Sequence, residues 1–144
     1  LVRSRGLGDV YKRQIEGYEL PYADERPRKH ECVFSVRGLT KDKGIRALNV
    51  SKKILDYGMH APTTYFPLIV EEALMVEPTE SFEKEELDRF IEVMKNISKD
   101  AHENPNGILE APQNTAATRL DEVKASHPKT MVLSWRMYKK RAEL

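Results

Sequence analysis

Leu55-Asp56-Tyr57-Gly58-Met59-His60-Ala61-Pro62-Thr63-Thr64-Tyr65-Phe66-Pro67, followed after a short interval by Met75-Val76-Glu77-Pro78-Thr79-Glu80-Ser81, is the most informative part of this chain. It joins the end of a helical pattern to two short apolar runs through a polar loop bracketed by Pro62 and Pro67. Proline fixes φ and removes a donor, so the loop has few conformations open to it. Loops that carry histidine and threonine on a rigid scaffold are frequent places for binding and chemistry.

Upstream of the loop, Ile45 to Tyr57 sets Ala47, Val50 and Ile54 on one side, with Leu48 and Leu55 beside them, which predicts a helix. Gly58 stands where a C-terminal cap is expected. Thr40 to Gly44 reads as a turn in which Asp42 can cap that helix. Glu31 to Val36 alternates and holds Cys32, Val33, Phe34 and Val36, which predicts a strand. Residues 15–29, with Pro21, Pro27 and many charges, read as a linker.

Downstream, Pro67 to Val70 and Ala73 to Val76 are two apolar runs that Glu71 and Glu72 separate, the pattern of a tight hairpin. Pro78 stops the second strand. Thr79 or Ser81 can cap a helix whose first turn is acidic (Glu83, Glu85, Glu86), as the helix dipole favours. Leu87, Phe90, Ile91, Met94, Ile97, Ser98 and Ala101 keep helical spacing up to the breaker cluster Asn104-Pro105-Asn106-Gly107. Ala111 to Ala116 reads as loop, Arg119 to Lys124 as a short helix, and Met131 to Trp135 as a last apolar run before a basic end. This order predicts an α+β domain over residues 30–103, a small antiparallel or mixed sheet with helices on one face, and an irregular C-terminal extension over 104–144 with a short helix.

The chain has 144 residues, enough for one small domain. A charged share of 33% beside 40% hydrophobic residues fits a globular protein, and a net charge of +1 gives no field that would gather nucleic acid or an anionic membrane. No apolar run approaches the ~20 residues of a membrane span, and no secretory signal is visible. The single cysteine, Cys32, rules out an internal disulfide. These features fit a cytoplasmic or organelle-matrix protein and not a secreted one, and of the two we expect the cytoplasm, of a bacterium or archaeon. Residues 1–14 (LVRSRGLGDVYKRQ) read as a non-native, adaptor-derived tail; without them 20 basic residues face 22 acidic ones.

His30, His60, His102 and His127 lie far apart, and Phe34 stands where a second histidine of an H-E-x-x-H motif would follow His30-Glu31, so no metal site is expected. No phosphate-binding glycine loop exists, and Cys32 in mid-strand reads as a small buried hydrophobe. His60 is the stronger candidate. With the hydroxyls of Thr63, Thr64 and Tyr65 around it, the loop can offer donors to a carboxylate or phosphate. The simpler reading, in which His60 only bonds a carbonyl and holds the loop, stands beside it. Capping is the simpler reading of Glu77-Pro78-Thr79-Glu80.

In order and spacing, His30-Glu31, Leu55 to Gly58, His60 to Thr63, Phe66-Pro67, Met75 to Ser81 and Glu86 to Phe90 resemble the C-terminal part of the glycine-cleavage P-protein family, the pyridoxal-phosphate glycine decarboxylases. Ala111-Pro112 and Arg119 to Glu122 are most like subunit 2 of its two-subunit form. The resemblance implies the C-terminal small domain of a fold-type-I pyridoxal-phosphate enzyme. Such an enzyme decarboxylates glycine and passes the aminomethyl group to the lipoyl arm of H-protein. It further implies that the cofactor lysine lies in an upstream large domain, and that this chain needs that domain and the other subunit, being inactive alone. His60, Thr63 and Thr64, with His30 as a second-tier candidate, become the groups nearest substrate or cofactor. The chain departs from the family at Asn49 and Ser51, where Asp and Ala are usual. The loop also has no arginine for a substrate carboxylate, which speaks against an aminotransferase or cysteine desulfurase. Outside this class, a stand-alone interaction module is the other expectation.

Overall fold

In Lys84–Glu103 (α3), the residues Phe90, Val93, Met94, Ile97, Ser98 and Ala101 are buried in one stripe, and that stripe is the floor of the core. The computed structural model describes residues 15–22, 30–78, 81–127 and 134–141. Within them the elements run β1 (Cys32–Ser35), α1 (Arg37–Lys43), α2 (Ala47–Asp56), β2 (Thr63–Thr64), β3 (Ala73–Val76), α3, α4 (Asn106–Leu109), α5 (Glu122–Ser126) and α6 (Trp135–Arg141). The three strands form an antiparallel sheet in the order β1-β3-β2, with Phe34 opposite Leu74 and Thr64 opposite Leu74 from the other side. Directly paired residues share a face. Cys32, Phe34, Leu74 and Val76 therefore turn one face into the core, where Ile54, Met94, Ile97 and Ile108 meet them. Each fully buried large side chain of this kind stabilises the fold by about 1.5–3 kcal/mol. This is a small α+β domain, as the sequence predicts.

The segment 15–29, expected as linker, is described over 15–22, and part of it is tied to the domain while Tyr22 stays exposed. Ile15 is buried, Glu19 bridges Ser35 through two backbone bonds (2.8 and 2.9 Å), and Ser98 Oγ donates to the Glu16 carbonyl at 2.7 Å. The expected tail at 1–14, the Thr79 cap and most of the run 131–135 lie outside the described residues.

Three local expectations are corrected. The turn at Thr40 to Gly44 is the end of helix α1, which Gly44 closes in the left-handed region at φ 69°. Asp42 lies inside that helix, and the start of α2 is capped from elsewhere: Arg46 N–H donates to Asn49 Oδ1 (2.9 Å) and Ala47 N–H to Glu72 Oε2 (2.7 Å). The hairpin partner of β3 is Thr63–Thr64, not Pro67 to Val70. The latter run is a turn in which Val70 is buried but Leu68 and Ile69 are 87% and 77% exposed, so it lacks the alternating face of a strand and joins no ladder. Helix α3 starts from Glu83 rather than Ser81, and Glu83 N–H donates to the Glu86 carboxylate at 3.2 Å.

The hairpin loop is fixed at both ends. Tyr65 and Glu72 both hold positive φ (62° and 51°), a strained region for such residues. Arg46 ties both down, with its guanidinium 5.3 Å from the Tyr65 ring centre and its Nε 3.1 Å from Glu72 Oε1.

Candidate functional site

Asp56 closes α2 with a negative charge at the end where the helix dipole disfavours one. The fold compensates it. Asp56 Oδ1 accepts the backbone N–H groups of Gln113 (2.6 Å) and Asn114 (2.8 Å), and Oδ2 lies 3.6 Å from Lys53 Nζ, an ion pair just beyond hydrogen-bond reach. The carboxylate is 1% exposed. Through it the extension after α4 is clasped to the base of the loop. Gly58 at φ 70° then reverses the chain, donating to the Leu55 carbonyl while Met59 N–H reaches back to Ile54. Arg89 of α3 reaches across to bond the Tyr57 carbonyl at 2.9 Å. Burial first, then the charges of Asp100 and Asp56, push the Tyr57 phenol above its ordinary pKa.

The loop so held opens onto a cavity of about 450 Å³. Its walls come from three separated stretches: Met59 to Thr63, Met75 to Pro78, and Phe82, Glu86, Leu87 and Phe90 at the start of α3. His60 and Thr63 line it and are exposed. Thr64, one residue on, faces the helices. Its hydroxyl pairs with Ser51 Oγ of α2 at 2.7 Å and donates to the Pro62 carbonyl at 3.2 Å. Strand alternation thus gives the two threonines different work: Thr63 at the cavity, Thr64 bracing the loop onto α2. Ser51 supplies the other half of the brace.

His30 is exposed, with Nε2 3.8 Å from Glu31 Oε2. The register that sets Cys32 opposite Val76 also brings Glu77 to this pair, and ligand atoms of all three lie within 4.8 Å of one another. All three are solvent-exposed, and such groups are common on protein surfaces without an ion.

Spacing in the sequence pointed to the loop but not to the cavity walls. Met75, Phe82, Leu87 and Phe90 converge only through folding. Asp56 carried a legible signal, an acid at a helix C-terminus that must find partners.

Residues 9–119 match the family described as "Glycine dehydrogenase, C-terminal domain". This chain belongs to that family. The match starts within residues 1–14. The chain is 54% identical over 127 residues to a protein of Pyrococcus abyssi, covering 88% of this chain and 24% of the relative. A Thermococcus gammatolerans protein is 55% identical over 122 residues (85% and 24%), and one from Aeropyrum pernix 48% over 121 (84% and 23%). All three are named "Probable glycine dehydrogenase (decarboxylating) subunit 2". The chain therefore spans about a quarter of the length of these curated relatives. No helix among the described residues is long and apolar enough to cross a membrane.

The resemblance implies pyridoxal phosphate, and the cavity is a poor match for it. Among the described residues no lysine or arginine lines the walls, while Glu77 and Glu86 do. A phosphate dianion and a lysine-bound aldehyde need the opposite donor set. No reaction step through the cofactor follows from these residues.

Proposed function

We propose that this chain is the C-terminal domain of subunit 2 of a glycine-decarboxylating enzyme, and that it works by presenting the loop His60 to Thr64 to an active site completed by the preceding polypeptide. In this reading that upstream polypeptide holds pyridoxal phosphate, which supplies the electron sink for decarboxylation. The present chain binds, orients and excludes water. The observation that supports it is the split of labour in the loop. Thr64 is consumed in a brace to Ser51, while His60 and Thr63 are left exposed at the lip with donors to spare. A ring N–H of His60 and the Thr63 hydroxyl can hold the glycine carboxylate, which has no arginine in this loop to meet it. His30 is a more distant candidate. The aminomethyl group passes to the lipoyl arm of H-protein, and the other subunit completes the assembly. The family match supports this chemistry over that of an aminotransferase or a cysteine desulfurase.

The test is a chimeric subunit 2, in which residues 15–144 replace the matching quarter of the Pyrococcus abyssi relative. It is assayed with subunit 1, pyridoxal phosphate and lipoylated H-protein for release of labelled carbon dioxide from glycine. The expected result is activity in the chimera and none in the 144-residue chain alone. His60→Ala and Thr63→Val should raise KM for glycine several-fold with the fold intact. Decarboxylation by the isolated chain, or an active chimera indifferent to both substitutions, overturns the proposal.

A further inference from the structure

The cavity beside the loop is better suited to protein than to substrate. Its walls are built of Met59, Met75, Phe82, Leu87 and Phe90, and two carboxylates, Glu77 and Glu86, stand at its edge. Glu31 lies beside Glu77, adding a third negative charge. Like charges repel an anion, so the hollow behind the lip suits neither a carboxylate nor a phosphate, and the glycine carboxylate of the proposed reading meets His60 and Thr63 at the lip only. An apolar hollow with an acidic rim fits an apolar segment that carries a lysine or arginine. The chain spans only 24% of its Pyrococcus abyssi relative, and its family is described as the C-terminal domain. In the relatives the greater part of the polypeptide therefore precedes this domain, and it is the nearest source of such a segment.

We infer that this cavity is a docking socket, and that its occupant is an apolar segment bearing a cation from the polypeptide that precedes this domain in subunit 2. The inference rests on the proposed identity of the chain. It also gives the lip residues a place: with the socket filled, His60 and Thr63 stand at the seam between two domains, where ligand sites concentrate.

Two methionines make the socket its own reporter. Met59 and Met75 line the cavity and are half-buried, Met94 is fully buried, and Met137 is half-buried on α6. Dilute peroxide converts an accessible thioether to the sulfoxide, so the rate at each methionine reads its exposure. Oxidation is followed by mass spectrometry in the isolated chain and in the chimeric subunit 2 described above. In the chimera Met59 and Met75 should react about tenfold more slowly, with Met137 unchanged. Glu77→Lys in the chimera should restore much of the lost rate, because it turns the rim against a cation.

Equal rates at Met59 and Met75 overturn the inference. If that chimera still releases carbon dioxide with subunit 1, the identity stands and only the socket falls; if it is inactive, both fall. Protection that appears only on adding subunit 1, only on adding glycine or pyridoxal phosphate, or in the isolated chain as its concentration rises, assigns the socket to a different occupant and overturns it too. An unchanged rate in Glu77→Lys overturns the cation.

Discussion

Replacing Asp56 with alanine should loosen the extension from the base of the loop, and the size of the effect can be worked from its contacts. The carboxylate accepts two backbone N–H groups at 2.6 and 2.8 Å. A hydrogen bond to a charged group contributes about 1.5–3 kcal/mol. Gln113 and Asn114 are exposed, so their freed donors rehydrate, and the lower figure applies to each. Lys53, whose side chain is 14% exposed, loses its counter-charge 3.6 Å away, which adds up to about 1 kcal/mol because its ammonium can turn to water. The total is about 3–4 kcal/mol, or a fall in Tm on the order of 10 °C for a chain of this size. Asp56→Asn keeps an acceptor of the same shape but no charge, and since charge-assisted bonds are about twice as strong as neutral ones, it should lose about half as much. Urea titration and thermal melting by circular dichroism measure the stabilities. Amide exchange at Gln113 and Asn114 should accelerate in the order wild type, Asn, Ala. If Asp56→Ala loses less than about 1 kcal/mol, the clasp is not what holds the extension. If Asn is as damaging as Ala, the charge is not its source.

Four further outcomes follow from the same geometry. Ser51→Ala and Thr64→Val should each destabilise by about 1 kcal/mol, and the double variant should fall short of their sum by about 1 kcal/mol; strict additivity would deny the hydroxyl pair. Gly58→Ala, at φ 70° in open space, should lose about 1 kcal/mol. Gly17→Ala should lose about 2 kcal/mol or more, because a Cβ there also runs into the Leu39 side chain; equal losses in denaturant melts would contradict this. Burial holds the Tyr18 phenol far above its ordinary value of 10.0, so the folded state keeps a proton that the unfolded chain releases. The stability this gives is complete below pH 10 and declines as pH rises beyond it; Tyr18→Phe should flatten that decline, measured as urea midpoints on either side of pH 10. Leu68→Glu, at a side chain 87% exposed, should leave stability within about 0.5 kcal/mol, and a larger loss would mean the loop packs in a way its exposure denies.

What could be read from the sequence was what periodicity encodes. The stripe of α3, the alternation of β1 and the glycine that ends α2 each repeat or punctuate over a length that composition makes visible. Helix α1 was hidden because only Leu39 of its seven residues is buried, which gives no period to detect. The hairpin was mispaired because Leu68-Ile69-Val70 has the residue types of a strand, whereas Thr63-Thr64, which forms the ladder, looks like loop. The ends of the loop it encloses are held by the Arg46 ties to Tyr65 and Glu72, which no local pattern announces. The site divides the same way. His60 and Thr63 were legible as polar groups on a proline-bracketed loop. The apolar walls were not, because residues 59, 75, 82, 87 and 90 become neighbours only once sheet and helix have packed.

Strand β2 is two residues long and stands at the edge of its sheet. An edge that short offers a foreign strand almost no ladder to extend, and short edges are one way proteins avoid templated, fibre-like growth. Leu68 and Ile69 beside it are apolar and open to water. At this edge the domain, separated from its neighbours, would stick through side chains rather than through backbone. Its clumping would strengthen with sulfate, weaken on cooling and reverse on dilution, where a cross-β aggregate would do none of these readily.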